Sequence, residues 1–94
     1  MTDADLVRRL RTLYRTVRML ETELRHGHLD GGLITDIDQQ MEQGVGSEPR
    51  CTGLRMAVDA MRESTMTPRP ELFGDTIRAC TRLMDQIDDI LSRL

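Results

Sequence analysis

The sequence predicts a small all-α fold: one helical bundle in which two long amphipathic helices are separated by two shorter ones. Three observations support this prediction. Apolar residues recur at alternating steps of four and three near both ends of the chain, as on one face of a helix. Glycines and prolines separate these stretches, and no long segment alternates apolar and polar residues as a half-buried strand does. With 94 residues, we expect a single domain over residues 1–94.

The first long helix is expected over residues 3–26. Thr2 and Asp5 have the spacing of a capping box at its start, and Gly27 suits the turn that ends it. Six apolar residues fall on one stripe of this helix: Leu6, Leu10, Leu13, Val17, Leu20 and Leu24. We expect this stripe to lie in the core or at a contact between copies.

The second long helix is expected over residues 70–94, and its apolar stripe is wider than a two-stranded coiled coil needs. Thr67, Pro68 and Pro70 supply the start signal, because proline is tolerated in the first helical turn. Its stripe comprises Phe73, Ile77, Cys80, Met84, Ile87, Leu91 and Leu94. We expect the two long stripes to pack together.

The two shorter helices are expected over residues 33–43 and 48–63. Gly44 ends the first of them, Ser47 is the predicted cap of the second, and Pro49 fits its first turn. The apolar residues of the two helices are Leu33, Ile34, Ile37 and Met41, then Cys51, Leu54, Val58 and Met61. All four helices can therefore contribute one apolar face to a shared core.

One Phe, one Tyr and no Trp leave the chain with few of the large side chains that dominate core burial. Small domains also bury a smaller fraction of their surface than large ones. Association would bury more apolar surface without a longer chain. We therefore expect a homodimer, or an obligate heteromer with another protein, rather than a free monomer.

Composition also argues against several classes of protein. The formal net charge of −3 is unlike that of a general nucleic-acid binder. No apolar run approaches the roughly 20 residues of a membrane span, and the acidic N-terminus is unlike a signal peptide. Two cysteines are too few for a disulfide framework. We expect a cytoplasmic protein with no membrane partner.

A row of arginines lies opposite the leucines of the first helix: Arg8, Arg11, Arg15, Arg18 and Arg25. Such a row is typical of a solvated face, and it can also pair with the acidic segment 30–48, bind an acidic protein surface or follow a phosphate backbone. Three methionines, Met19, Met56 and Met66, lie off the main stripes. Flexible thioether side chains suit adaptable contact surfaces, so these eight residues are the candidate partner-binding set.

Two groups of residues have the types that bind metals or respond to redox state. His26 and His28 stand close to Asp30, and Cys51 and Cys80 lie on apolar stripes. The alternative interpretations are a polar helix terminus for the histidines and core packing for the cysteines. The spacing lacks a complete ligand set, so no metal and no cofactor are predicted.

No nucleophile, base and orienting group can be assembled from the sequence, and no glycine-rich phosphate loop is present. We therefore predict a non-enzymatic protein–protein interaction module, acting as a chaperone, an adaptor or an inhibitor of the anti-activator type on a larger bacterial protein. One alternative is a helical DNA-binding transcriptional regulator, with a helix-turn-helix over residues 33–63. A second alternative is a metal or thiol redox sensor.

Overall fold

The computed structural model describes residues 1–66, 69, 71 and 73–94. These residues form four α-helices and two short 3₁₀ turns, and none of them lies in a strand. The helices are α1 (Asp3–Arg25), α2 (Gly31–Glu42), α3 (Thr52–Thr65) and α4 (Phe73–Ser92). The predicted all-α fold is confirmed, with the two long helices flanking the shorter pair. The start signal expected at Thr67, Pro68 and Pro70 lies outside the described residues.

Helix α1 begins at half of the predicted capping box. The Thr2 hydroxyl accepts a hydrogen bond from the backbone N–H of Asp5, at 3.1 Å, which satisfies one of the free donors at a helix start. The Asp5 carboxylate forms an ion pair with Arg8. The acidic side chain therefore supports the first turn through an i,i+3 contact.

Helix α1 ends in a Schellman motif at the predicted glycine. Gly27 has a φ of +78°, a conformation that costs other residues about 1–2 kcal/mol. Its N–H donates to the carbonyl of Leu24 at 3.0 Å, and the His28 N–H donates to the carbonyl of Glu23 at 2.9 Å. Two carbonyls that the helix end would leave free are thereby satisfied.

The segment between α2 and α3 differs from the prediction. Two 3₁₀ turns, Val45–Ser47 and Pro49–Cys51, precede α3. The second of them replaces the expected first turn of α3, and the helix itself begins at Thr52 rather than at residue 48. The prediction that Ser47 caps α3 is wrong, because the Ser47 hydroxyl donates to the carbonyl of Gly44 at 3.3 Å. Extended backbone at Glu48, with φ −74° and ψ 122°, prevents one continuous helix.

Two glycines make this compact connection possible. Gly44 has a φ of +127°, which L side chains rarely adopt. A Cβ atom on Gly46 would lie 2.8 Å from the carbonyl oxygen of Met41. The chain can therefore turn closely against the end of α2 only because both positions lack a side chain.

The packing of the helices determines which sides of the bundle are open. Helix α1 packs most extensively against α4 and also against α2, whereas α3 packs against α4 and less against α2. The order around the bundle is therefore α1, α4, α3, α2. It follows that the groove between α1 and α2 and the groove between α3 and α4 lie on opposite sides. The molecule measures 40 × 21 × 18 Å.

The core contains the six predicted apolar residues of α1 and three of the seven in the predicted stripe of α4, Cys80, Met84 and Ile87. Leu94, at the end of that predicted stripe, is exposed instead. Val45 of the first 3₁₀ turn and two further residues of α4, Leu83 and Ile90, are also buried, whereas Phe73, Ile77 and Leu91 are partly buried at the edge of the core. The accessible surface is 5745 Å², close to the roughly 5,500 Å² expected of a monomer of this mass. The scarcity of aromatic side chains therefore does not leave the core open.

Polar contacts connect neighbouring helices at the rim of this core. Gln40 of α2 donates to the hydroxyl of Thr16 on α1 at 2.9 Å. Ser64 at the end of α3 and Thr76 on α4 share a hydrogen bond of 2.9 Å. Among the helices that the structure describes, none is long and apolar enough to cross a membrane.

Candidate functional site

The five arginines of the row on α1 are all exposed, but they fall into two groups. Arg8 pairs with Asp5, and Arg25 pairs with Glu21 at 3.5 Å. Arg11, Arg15 and Arg18 take part in none of the ion pairs found among residues 1–66, 69, 71 and 73–94. These three side chains are called the cationic surface below.

The local sequence explains why the cationic surface is not neutralised by its own helix. On a helix, a side chain can contact the side chains three and four positions before and after it. No acidic residue stands at these positions around Arg11 or Arg15. Glu21 lies three residues after Arg18, but its carboxylate accepts from Arg25 at 3.5 Å and from the Thr81 hydroxyl at 3.2 Å. The three guanidinium groups therefore project from about 10 Å of helix without a carboxylate partner on α1.

The acidic segment 30–48 does not supply the missing partners, although α2 packs beside α1. Asp30 caps α2 by accepting from the N–H of Gly32 at 2.9 Å, and Asp38 pairs with Arg62 of α3 at 3.2 Å. Glu48 pairs with Arg50 at 3.0 Å, which lowers the pKa of the Glu48 carboxyl. Pairing of the arginine row with this segment, one of the interpretations of the sequence, is therefore not found among the ion pairs of the described residues.

Two shallow depressions lie on either side of the cationic surface. The first is the groove between α1 and α2, with a volume of about 310 Å³. It is lined by Arg15, Arg18, Met19, Thr22, Glu23, Asp30 and Leu33. The second, of about 540 Å³, lies along α1 and is lined by Ala4, Val7, Arg8, Arg11, Thr12 and Arg15. Cationic and apolar groups thus lie along one open surface, with the carboxylates of Glu23 and Asp30 at its α1–α2 end. Such an open surface suits an elongated partner better than an enclosed small molecule.

The three off-stripe methionines do not share one groove. Met19 is 51% exposed and lines the groove between α1 and α2. Met56 is 77% exposed and lines the groove between α3 and α4 on the opposite side. Met66, also 77% exposed, follows the end of α3 and lines neither groove. Met19 alone therefore belongs to the same surface as the three arginines.

The two histidines lie at the C-terminal end of α1. His26 Nδ1 is 2.8 Å from the carbonyl oxygen of Thr22, so the imidazole can donate to a carbonyl at the helix end, where positive charge is favourable. Both side chains are exposed. Over the part of the chain that the structure describes, no three His, Cys, Asp or Glu side chains are placed to hold a metal ion.

Both cysteines are free thiols buried in the core. Burial, with a smaller contribution from Glu21, raises the pKa of Cys80 to about 12. Burial, together with the charge of Glu48, also raises the pKa of Cys51. Since the thiolate is the reactive form of cysteine, both thiols are poor nucleophiles in the folded protein.

The connection between α2 and α3 bears on the DNA-binding hypothesis. A helix-turn-helix joins its helices by a turn of three or four residues, whereas here residues 43–51 separate the two helices. At the exposed start of α3 stand Thr52, Gly53, Arg55 and Met56, with one base among them. This geometry does not resemble the N-terminal end of a recognition helix.

No family model, no curated protein and no solved structure matches this chain.

Sequence reasoning did not separate the paired arginines from the free ones, although a signal was present. Asp5 precedes Arg8 by three residues and Glu21 precedes Arg25 by four, the two spacings at which helical side chains meet. The contribution of Leu33 to the α1–α2 groove carried no comparable signal, because it depends on how α2 packs on α1.

Proposed function

We propose that this chain is a non-enzymatic interaction module whose cationic surface binds an acidic segment of another protein. The observation that carries the proposal is the contrast along α1. Arg8 and Arg25 are neutralised within the helix, whereas Arg11, Arg15 and Arg18 form no ion pair in the described part of the chain. In biological terms, we propose a cytoplasmic chaperone, adaptor or inhibitor of the anti-activator type that acts on a larger bacterial protein.

The energetics favour a partner that offers more than charge. An exposed ion pair contributes about 0.2–1 kcal/mol, so three such pairs alone give weak binding. Burial of apolar surface adds about 25 cal/mol per Å², and Met19 and Leu33 supply such surface in the α1–α2 groove. We therefore propose a partner helix with carboxylates on one face, flanked by an apolar side chain that enters this groove.

A nucleic-acid partner is the alternative for the same arginines. Three phosphate contacts would give a salt dependence with a slope of only about −3 in log–log form, which is a small number of contacts for a nucleic-acid binder. The connection between α2 and α3, residues 43–51, is longer than the turn of a helix-turn-helix, so α3 is not placed as a recognition helix. We therefore propose the acidic protein segment and use nucleic acid as a competing outcome of the test.

The test compares two triple variants in quantitative affinity capture from native lysate. The first carries Arg11→Glu, Arg15→Glu and Arg18→Glu. The matched control carries Arg62→Glu, Arg78→Glu and Arg93→Glu, which changes net charge equally at arginines already paired with carboxylates. We expect the wild type and the control to retain a common protein with an acidic surface, and the first variant to lose it.

A defined probe accompanies the capture experiment. A helical peptide with glutamates at positions i, i+4 and i+7 matches the spacing of the three arginines. We expect fluorescence anisotropy to show that it binds the wild type and that the glutamine version of the peptide does not. Equal capture by both triple variants, or binding of duplex DNA in preference to every acidic protein, would contradict the proposal.

A further inference from the structure

The side of the bundle opposite the cationic surface is formed by α3 and α4, and its groove has a different chemistry. A depression of about 220 Å³ runs between the two helices. Small side chains contribute much of its lining: Ala57 and Ala60 of α3 and Ala79 of α4, with Arg82 and Gln86 beside them. Met56 stands at its edge with 77% of its surface exposed. A flexible apolar side chain thus projects next to a shallow, alanine-lined depression.

This combination of shapes is self-complementary. In a two-fold symmetric dimer, the same patch serves both copies, so a projecting group must fit a depression on its own surface. Here Met56 is the projecting group. The alanines leave a depression that longer side chains at the same positions would fill. Methionine adapts well to irregular contacts because its side chain is unbranched and flexible.

The α3–α4 side carries exposed charges of both signs. Arg82 lies in the groove, and Glu63 follows Met56 by two helical turns on the same face of α3. Both are exposed, and neither takes part in an ion pair found between described residues. Arg82 and Glu63 lie at different positions along the bundle axis. In a two-fold symmetric dimer, Glu63 of each copy can therefore pair with Arg82 of the other.

The cationic surface on α1 has the opposite property. Two copies meeting there would bring together six guanidinium groups that have no carboxylate partner among the described residues, and like charges across an interface are unfavourable. Self-association is therefore disfavoured on the α1–α2 side and compatible with the α3–α4 side. A different protein whose surface carries mainly one sign of charge would be complementary to only part of the α3–α4 side.

We infer that the α3–α4 groove binds a second copy of this chain, with Met56 of each copy inserted into the groove of the other and Arg82 lying against Glu63 across the interface. With 14 residues, α3 spans about 21 Å, and two helices about 10 Å apart make this side about 20 Å wide. A flat patch of this size has an area of about 400 Å². This is below the roughly 800 Å² per partner of a standard stable interface. The dimer is therefore reversible and forms as concentration rises.

The experiment measures self-association by sedimentation velocity over a wide concentration series. Met56→Arg places a cation beside Arg82, and symmetry repeats the repulsion, so we expect the dimer to weaken about tenfold or more. Met66→Arg is the matched control, because Met66 is the same residue type with the same 77% exposure but lies outside the groove. The control should associate as the wild type does.

A charge exchange provides the second measurement. Glu63→Arg and Arg82→Glu should each weaken the dimer, and the double variant should recover most of the loss because the pair is restored across the interface. Unchanged thermal unfolding shows that each variant remains folded. A wild type that stays monomeric throughout, equal effects of Met56→Arg and Met66→Arg, or a double variant as weak as the sum of the singles would overturn the inference.

Discussion

The inner and outer faces of α1 differ in whether their side chains find partners within the described part of the chain. Every apolar residue of the inner stripe, from Leu6 to Leu24, is buried against the rest of the chain. On the outer face, Arg11, Arg15 and Arg18 find no carboxylate among the residues that the structure describes. The comparison indicates that the inner face of this helix holds the fold together, whereas these three arginines of the outer face contribute no ion pair to it within the described residues.

The largest expected effect comes from the inner face. Leu13 is completely buried, so Leu13→Ala removes burial and leaves a cavity, and we expect the free energy of unfolding to fall by about 2–5 kcal/mol. Urea denaturation followed by circular dichroism measures this change. A loss of less than about 1 kcal/mol would mean that the inner face of α1 is not part of a closely packed core.

An intermediate effect is expected where α1 ends. Gly27 and Gly31 both have open space around a substituted Cβ, but only Gly27 has a positive φ. We expect Gly27→Ala to destabilise the protein by about 1 kcal/mol and Gly31→Ala to be neutral or slightly stabilising. Thermal unfolding of the two variants compares them directly, and equal behaviour would show that α1 does not end in the left-handed turn.

The smallest effect is expected on the outer face. Arg15 is exposed and unpaired within the described residues, so Arg15→Ala should change the free energy of unfolding by no more than about 0.5 kcal/mol. The same urea denaturation used for Leu13→Ala measures it. A loss of 2 kcal/mol would remove the distinction between the two faces, because it would show that Arg15 supports the fold.

Much of the fold followed from the sequence because apolar periodicity records which side of a helix is buried. The stripes of α1 and α4, the cap at Thr2 and the stop at Gly27 are all local patterns. The start of α3 was misplaced because Ser47 and Pro49 have the composition of a helix start. The two 3₁₀ turns there depend on the close approach of Gly46 to the carbonyl of Met41, which is a tertiary contact.

The candidate site could be predicted only in part. The row of arginines was visible, and the pairing of its two ends was encoded in the spacing of Asp5 and Glu21. The separation of Met19 from Met56 was not visible, because it depends on the order of the helices around the bundle. The carboxylates of α2 were possible partners for the arginines of α1, but in the structure Asp38 forms an ion pair with Arg62 of α3.

The back-to-back placement of the α1–α2 and α3–α4 sides has a consequence for valency. A dimer joined through the α3–α4 sides would carry its two cationic surfaces on its outer flanks, pointing away from each other. A target bearing two acidic segments, joined by a linker long enough to reach around the dimer, would then be held at both ends. Such tethering raises apparent affinity by about 10²–10⁴ without any new contact, so a weak single contact would suffice for capture by the dimer.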